Sequence, residues 1–189
     1  MIKRLFWFLL VILICAYVSV SYATQKSNLY RNKTYAFSII FPDGWQHRGG
    51  QTPHTVVVSE NLKGESIIIQ VWQLPKIISL EDFSEKELYS FISNSFDEIK
   101  SKYNGAIMEG SGITYIANKK ATWILFSYTI RHAFTTAKVK TMNYQVFHNG
   151  KMFQIACSSQ SDRYKQFEGV FLNSVRTFIF EDPLWYKFP

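Results

Sequence analysis

The chain has four histidines, the side chains most often found in metal and acid–base sites: His47, His54, His132 and His148. They are widely separated, and neither a His-x-His nor a His-Glu-x-x-His pattern occurs. Those short patterns bring two imidazoles to one metal ion from a single segment. A metal site would therefore have to be assembled wholly by the fold, and the sequence predicts none.

The residues that could attack a substrate lack the partners that such chemistry needs. Cys157 ends the segment 153–157, whose alternation is typical of a strand, and no histidine or acid accompanies it in a recognisable motif. A buried thiol explains it better than a nucleophile. Ser111, between two glycines, lacks the Gly-x-Ser-x-Gly spacing of hydrolases, and no phosphate-binding glycine loop is present. We expect neither a catalytic residue nor a cofactor.

One polar stretch, residues 46–54, combines two histidines, an arginine and two glycines directly after Trp45. Flexible loops on a rigid scaffold often carry binding groups. His47, Arg48 and His54 are therefore candidate binding residues. A plain surface connection would have the same composition.

The first 23 residues have the three parts of a secretory signal. A basic head, Lys3 and Arg4, precedes an apolar run over residues 5–18, and small residues follow. Ser21 and Ala23 occupy the positions that signal peptidase requires, which predicts cleavage between Ala23 and Thr24. An uncleaved membrane anchor is the alternative, because extending the run to Ala23 nearly spans a bilayer.

A third interpretation of this segment is a lipoprotein acylated at Cys15. The bulky Ile14 before it argues against that, because such processing uses a small residue there. Without residues 1–23 the chain retains 166 residues, a suitable length for a single domain over residues 24–189.

The charge gives little support for a nucleic-acid partner. The chain's formal charge is +7, which falls to +5 without Lys3 and Arg4, and the basic residues are dispersed along the sequence. A nucleic-acid-binding domain concentrates its basic residues on one surface. We expect no nucleic acid, and a membrane contact only if the signal is uncleaved.

Alternating apolar residues predict a series of strands joined by short turns. The predicted strands cover residues 35–41, 55–59, 66–73, 113–117, 121–131, 138–148 and 151–158. Asn149 and Gly150 predict a tight hairpin, because both accept positive φ angles. Residues 123–128 are apolar on both sides, so this strand should lie centrally with helices on both faces of its sheet.

Two amphipathic segments predict those helices. Residues 79–103 repeat apolar side chains every three to five positions, with Ser79 as the expected N-cap and Asp82 closing a capping box. Residues 162–176 form the second segment. The last nine residues, 181–189, form a tail that holds Trp185, Tyr186 and Phe188, a second candidate binding surface.

Three segments resemble the PsbP-like family. Residues 35–45 resemble its opening strand and turn, in which a Phe-x-Ile-x-Phe-Pro-x-Gly-Trp pattern ends at Trp45. Residues 79–83 resemble its first helix start, and residues 150–178 its closing strand, helix and Ser-Phe ending. The resemblance spans about residues 30–180 and implies an antiparallel sheet between helices.

The resemblance also carries an expectation about function. PsbP-like domains include photosystem II extrinsic subunits, a nuclear-transport cofactor that binds a small GTPase, and exported bacterial proteins, and none is typically an enzyme. A bacterial-type export signal makes the photosynthetic and nuclear roles poor matches here. The resemblance carries over no site residues, because fold alone does not determine function.

The sequence thus predicts an α+β domain with a central antiparallel sheet of about six or seven strands flanked by helices. It would be an exported, non-catalytic accessory or binding protein of a bacterial envelope, periplasmic or secreted, with a protein or small-ligand partner. One alternative is an extracytoplasmic hydrolase, which we would expect to show His132 or His148 beside Cys157. The other is an envelope structural protein anchored in the inner membrane by residues 5–23.

Overall fold

The structure, a computed structural model, describes residues 28–103, 105–132 and 135–181. In chain order its elements are β1 (Leu29–Asn32), β2 (Phe37–Ile40), β3 (Gln46–Gly49), β4 (Thr55–Glu60), β5 (Ser66–Gln73), α1 (Glu85–Lys102), β6 (Ile107–Ile116), β7 (Lys119–His132), β8 (Thr135–His148), β9 (Lys151–Gln160), α2 (Tyr164–Arg176) and β10 (Ile179–Phe180). A short 3-10 helix, Leu80–Asp82, precedes α1.

Seven strands form the main sheet in the order β3-β4-β5-β9-β8-β7-β6, and every neighbouring pair is antiparallel. The turn between β8 and β9 is the predicted one, with φ angles of 48° at Asn149 and 69° at Gly150. Such angles match the twist of a tight hairpin. The predicted α+β fold with a central antiparallel sheet is therefore confirmed.

The first face of the main sheet, called here the core face, is closed by α2 and by a second sheet of three strands, β1-β2-β10. Its centre is aromatic: the Phe37 and Phe178 rings are stacked with centroids 5.2 Å apart, and Phe153 meets Phe37 edge-on at 5.9 Å. Trp45, after the Pro-Asp-Gly turn, meets Phe171 of α2 edge-on. The corner at this turn is therefore held by ring packing.

The opposite face of the main sheet is partly covered by α1. Ile92 and Phe96 of this helix pack on Ile124 and Phe126 of β7. Trp123, the neighbour of Ile124, packs against the other face of the sheet. The prediction that residues 123–128 are covered on both sides is confirmed, but β7 is the second strand from the edge of the sheet rather than a central one.

Two glycines of β6 are explained by that tryptophan. A Cβ atom at Gly112 would lie 3.0 Å from Trp123 Nε1, and one at Gly110 would lie 3.3 Å from Trp123 Cζ3. The indole therefore lies directly over a strand that has no side chains at these positions. The Gly-Ser-Gly motif serves packing, which agrees with the prediction that it is not a nucleophile motif.

The start of the first helix differs from the prediction. Ser79 accepts a hydrogen bond from the Glu81 amide, but it caps only the 3-10 helix. The α-helix begins after Ser84, whose amide donates to Glu87 Oε2 at 2.7 Å while its hydroxyl accepts from the Glu87 amide at 3.4 Å. An acidic residue follows each of these serines three positions later. Only Ser84 forms the two reciprocal hydrogen bonds of a capping box.

One buried carboxylate on the core face is held by an ion pair. Glu65 is fully buried, and Arg163 Nη1 lies 2.9 Å from its Oε1. The Ser159 hydroxyl donates to the same oxygen at 3.3 Å. Since a buried charge needs such partners, this pair fastens the start of β5 to the start of α2, with Ser159 of β9 as a third member.

Candidate functional site

The predicted binding loop, residues 46–54, is in part a strand. β3 is an exposed edge strand of the main sheet, and its side chains alternate between the two faces. His47 points to the core face, where it hydrogen-bonds Ser59 at 3.0 Å and lies 4.8 Å from the Phe41 ring. Arg48 points to the α1 face and lines a groove there. The two neighbours therefore do not share a site.

The third candidate, His54, lies at one end of the same groove. Its ring stacks on Trp72 with centroids 5.3 Å apart, and Trp72 lines the groove. Gln51, Thr52 and the nearby Thr55 line it as well. The loop that the sequence singles out is thus the rim of a real depression, whose floor comes from other strands.

The groove lies between α1 and the part of the sheet that α1 leaves uncovered, and its volume is about 370 Å³. α1 packs mainly on β6 and β7, at one side of the sheet. The wall that it presents includes Ser95, Ile99 and Tyr103. β4, β5, β9 and β8 supply the floor.

A row of five polar side chains crosses the sheet, and the four on β4, β5, β9 and β8 lie on this floor. Consecutive members are paired across β4, β5, β9, β8 and β7: Thr55, Gln70, Gln154, Gln145 and Thr122. Gln70 Nε2 donates to Thr55 Oγ1 at 3.0 Å, and Gln145 Oε1 accepts from Ser95 of α1 at 3.1 Å. We call these five residues the amide row.

The next two rows complete the floor. Beside the amide row lie Val58, Ile68 and Ala156, an apolar strip that ends at Asn143 of β8. Beyond it, Ser158 pairs with Thr141, and their hydroxyls are 2.9 Å apart. The floor therefore alternates from polar to apolar to polar across its length.

Two amides of the groove retain unused hydrogen-bonding capacity towards the described residues. Asn143 is 2% exposed, and its Oδ1 is buried without a hydrogen-bond partner. Gln154 is half-buried, and its side-chain amide has no hydrogen-bond partner among the described residues. A buried amide oxygen without a donor is costly, so the Asn143 acceptor calls for a donor that the described side chains do not supply.

The groove has a nearly neutral lining. Its charged members, Arg48, Glu98 and Lys102, are all exposed at the rim. Arg48 is paired with Glu60, with its Nε 3.1 Å from Oε1. Burial, with Tyr103 close by, raises the pKa of Tyr128 to about 12, so this phenol stays protonated. The floor can therefore donate and accept hydrogen bonds without carrying charge.

The structure does not support the nucleophile that the hydrolase alternative would use. Cys157 is fully buried on the core face, and burial raises the pKa of its thiol. His148 stacks on Phe180 at 4.1 Å, and no described side chain hydrogen-bonds Cys157. The side chain of His132 lies outside the described residues. A thiol that cannot ionise or reach solvent is not a nucleophile.

Two other kinds of site, a metal centre and a membrane span, depend on what the described residues bring together. No cluster of three or more histidine, cysteine or acidic side chains that could hold a metal ion occurs among them. Within the same ranges, no helix is both long and apolar enough to span a bilayer. The predicted cleavage site at Ala23 and Thr24, and the tail residues Trp185, Tyr186 and Phe188, lie outside the described residues.

The comparisons with known proteins identify relatives of this fold. The PsbP family profile matches residues 25–180. The solution structure of cyanobacterial PsbP (CyanoP) from Synechocystis sp. PCC 6803 is similar, with a TM-score of 0.60 and 13% identity, over 82% of this chain and 94% of that one. No curated protein sequence matches the chain.

Two further structures share the fold. LpqN of Mycobacterium tuberculosis, described as involved in cell envelope biogenesis, has a TM-score of 0.54 and 10% identity, over 77% of this chain and 83% of LpqN. The Ran-binding protein Mog1p of Saccharomyces cerevisiae has a TM-score of 0.53 and 10% identity, over 84% of this chain and 97% of Mog1p. At such identities the likeness concerns the fold alone.

Proposed function

Because the chain belongs to the PsbP family, whose profile matches residues 25–180, we propose that it is an exported, non-catalytic accessory protein that binds a small uncharged ligand. The groove beneath α1 is the binding site. The observation that carries this proposal is the amide row beside the buried, unpaired Asn143 Oδ1. A sheet face that only closed a core would be apolar, as the core face is.

The similar structures support a binding role in general terms. Mog1p is described as Ran-binding, and LpqN as involved in cell envelope biogenesis. Neither description names a reaction. These descriptions support only that proteins of this fold serve binding and envelope functions, and we infer the ligand site from the groove itself.

The absence of catalysis is proposed from the groove's own side chains. Neither a histidine nor a cysteine is among the described residues that line it, and its carboxylate, Glu98, is exposed at the rim. General acid–base chemistry needs a titratable group held within hydrogen-bonding distance of the reacting atoms. Amides and hydroxyls without such a group bind and orient a molecule but do not activate it.

Export is proposed from the N-terminal signal, with cleavage between Ala23 and Thr24. Mass spectrometry of the mature protein from an envelope fraction tests this. A mature N-terminus at Thr24 is the expected result. An intact Met1 in the membrane fraction would instead support the anchored structural protein.

The binding role is tested by NMR on the ¹⁵N-labelled full chain, whose side-chain NH₂ groups report directly on the groove. The probes are uncharged small molecules of three kinds: sugars, polyols and N-acetylated dipeptide amides. We expect at least one kind to shift the NH₂ signals of Gln145 and Gln154 while the core-face backbone amides stay in place. If none of the three classes of probe shifts these NH₂ signals, the small-ligand function is contradicted.

A protein partner is the second candidate, supported by the exposed edge of the main sheet at β3. An unpaired strand edge can accept a further strand from another chain. The proposed surface combines this edge with the tail residues Trp185, Tyr186 and Phe188. A pull-down from the envelope fraction with the full chain, compared with a chain ending at Glu181, tests it: equal recovery of every partner would exclude the tail.

A further inference from the structure

The chemistry of the groove floor is specific enough to indicate the class of ligand, given the binding function proposed above. Neighbouring strands lie about 4.8 Å apart and alternate residues along a strand about 6.8 Å apart, so the three rows form a regular grid. The amide row lies on one side of the apolar strip, and Ser158 with Thr141 lies on the other. A ligand on this floor meets an apolar centre between two polar borders.

Charge limits the ligand first. The floor has amides, hydroxyls and aliphatic groups. Of the two cations at the rim, Arg48 is paired with Glu60, and Lys102 Nζ lies over the Tyr103 ring, 5.4 Å from its centroid. Burying a charged group without a partner costs far more than burying a hydrogen-bonded neutral one. Phosphorylated compounds, free amino acids and other zwitterions are therefore disfavoured.

The hydrogen-bonding groups of the floor limit the class of ligand further. The backbone N–H and C=O groups of β5, β9 and β8 are used in the sheet, since each of these strands has a neighbour on both sides. The ligand therefore meets side chains that both donate and accept, such as Gln154, and an acceptor, Asn143 Oδ1. Hydroxyl groups, which also donate and accept, match this mixture better than the alternating, fixed donors and acceptors of a peptide.

Shape gives the third limit. A pyranose ring has apolar C–H faces and a border of hydroxyls. Placed on the strip of Val58, Ile68 and Ala156, such a ring would set its hydroxyls towards the amide row and towards the Ser158–Thr141 pair. A volume of about 370 Å³ suits a mono- or disaccharide, and Trp72 offers an aromatic surface at the end of the groove.

We propose that the groove between α1 and the amide row binds a neutral saccharide. Gln154 provides hydrogen bonds at the accessible centre of the floor. Asn143 accepts one from a hydroxyl at its inner end. This assignment rests on the proposed small-ligand function and names its substrate class.

The experiment is a titration of the full chain, followed through the NH₂ signals of the groove amides. The neutral probes are glucose, N-acetylglucosamine, maltose and cellobiose, and the charged probes are glucose 6-phosphate and glucuronic acid. N-acetyl-glycyl-serine amide serves as the neutral peptide probe. We expect saturable shifts at Gln154 with at least one neutral sugar, and binding at least tenfold weaker for the charged sugars.

Two variants and one matched control connect the shifts to the groove. Gln154→Leu and Asn143→Leu should each weaken sugar binding at least tenfold. Gln160→Leu changes the same residue type on β9, at an exposed position that does not line the groove, and should bind like the parent chain. Backbone amide spectra of all three variants establish that each is folded.

The outcomes separate this inference from the function on which it rests. Sugar binding that Gln154→Leu abolishes and Gln160→Leu preserves supports both. Groove shifts with the peptide probe alone leave the small-ligand function standing and overturn the saccharide assignment, as would a preference for the charged sugars. No shift with any probe overturns both.

Discussion

The two faces of the main sheet differ in what covers them and in what they expose. The core face packs against α2 and a second sheet, and its alternate residues are aromatic or aliphatic, as at Phe153 and Ile155 of β9. The opposite face of the same strand has Gln154 and Ser158, which α1 does not reach. The same strands thus serve stability on one side and, in our proposal, recognition on the other.

The largest expected difference is between two neighbours on β9. Phe153→Ala removes a ring that contacts Phe37 and Phe178, so we expect a loss of about 3–5 kcal/mol in unfolding free energy. Gln154→Ala removes a half-buried side chain that has no hydrogen bond to the described residues, and we expect it to cost less than about 1 kcal/mol. Urea denaturation measures both. Equal losses would contradict the division between the faces.

The next comparison concerns two ion pairs. Glu65→Gln leaves Arg163 without its buried carboxylate, and because this arginine is partly exposed we expect a loss of about 2 kcal/mol. Glu60→Gln removes the exposed partner of Arg48 and should cost less than about 0.5 kcal/mol. Thermal unfolding of both variants gives the comparison, and a larger effect at Glu60 would contradict it.

The pH dependence of stability reports on the core face through Cys157. Burial raises the pKa of this thiol above its usual 9.0, so the folded chain keeps a proton that the unfolded chain releases in alkali. Stability should therefore fall as pH rises through 9, by about 1.4 kcal/mol from this group at pH 10.

A Cys157→Ala variant serves as the control, because it lacks the thiol and keeps the other ionisable groups. Unfolding free energies of both chains at pH 8 and pH 10 give the contribution of the thiol by difference. Equal pH dependence in the two chains would show that the thiol is not buried as described.

The smallest expected change in unfolding free energy is a gain rather than a loss. Asn143→Leu removes an amide whose buried Oδ1 has no partner, so we expect a gain of about 1 kcal/mol in unfolding free energy. The Gln160→Leu control should change stability by less than about 0.5 kcal/mol. A clear loss of stability in Asn143→Leu would mean that the amide supports the fold, and the argument for a ligand there would lose its basis.

Local patterns were enough to predict most of the main sheet. The alternation in β5 and the Asn149–Gly150 turn determine strand limits and register from a few adjacent residues. The pairing of β10 with β2 was missed, because it joins Ile179 to Ser38 across most of the chain and both strands are short. Residues 46–49 were predicted as loop, because exposed polar residues on an edge strand lack the apolar alternation that identifies inner strands.

The groove could be predicted only at its rim. Gln70, Gln145 and Gln154 each occur on the polar side of a predicted strand, where an isolated glutamine indicates only solvent exposure. Their alignment depends on the order β5-β9-β8, which brings together strands separated in the sequence by α1. How much of this face α1 covers is also a property of the packed fold.

The most direct test of the account is a crystal structure of the full chain with the sugar that gives the largest shifts at Gln154. We predict a pyranose ring lying on Val58, Ile68 and Ala156, with one hydroxyl within about 3.2 Å of the Gln154 amide. A sugar bound elsewhere, or a groove that contains only solvent at saturating sugar, would contradict the proposal that this polar face is a recognition surface.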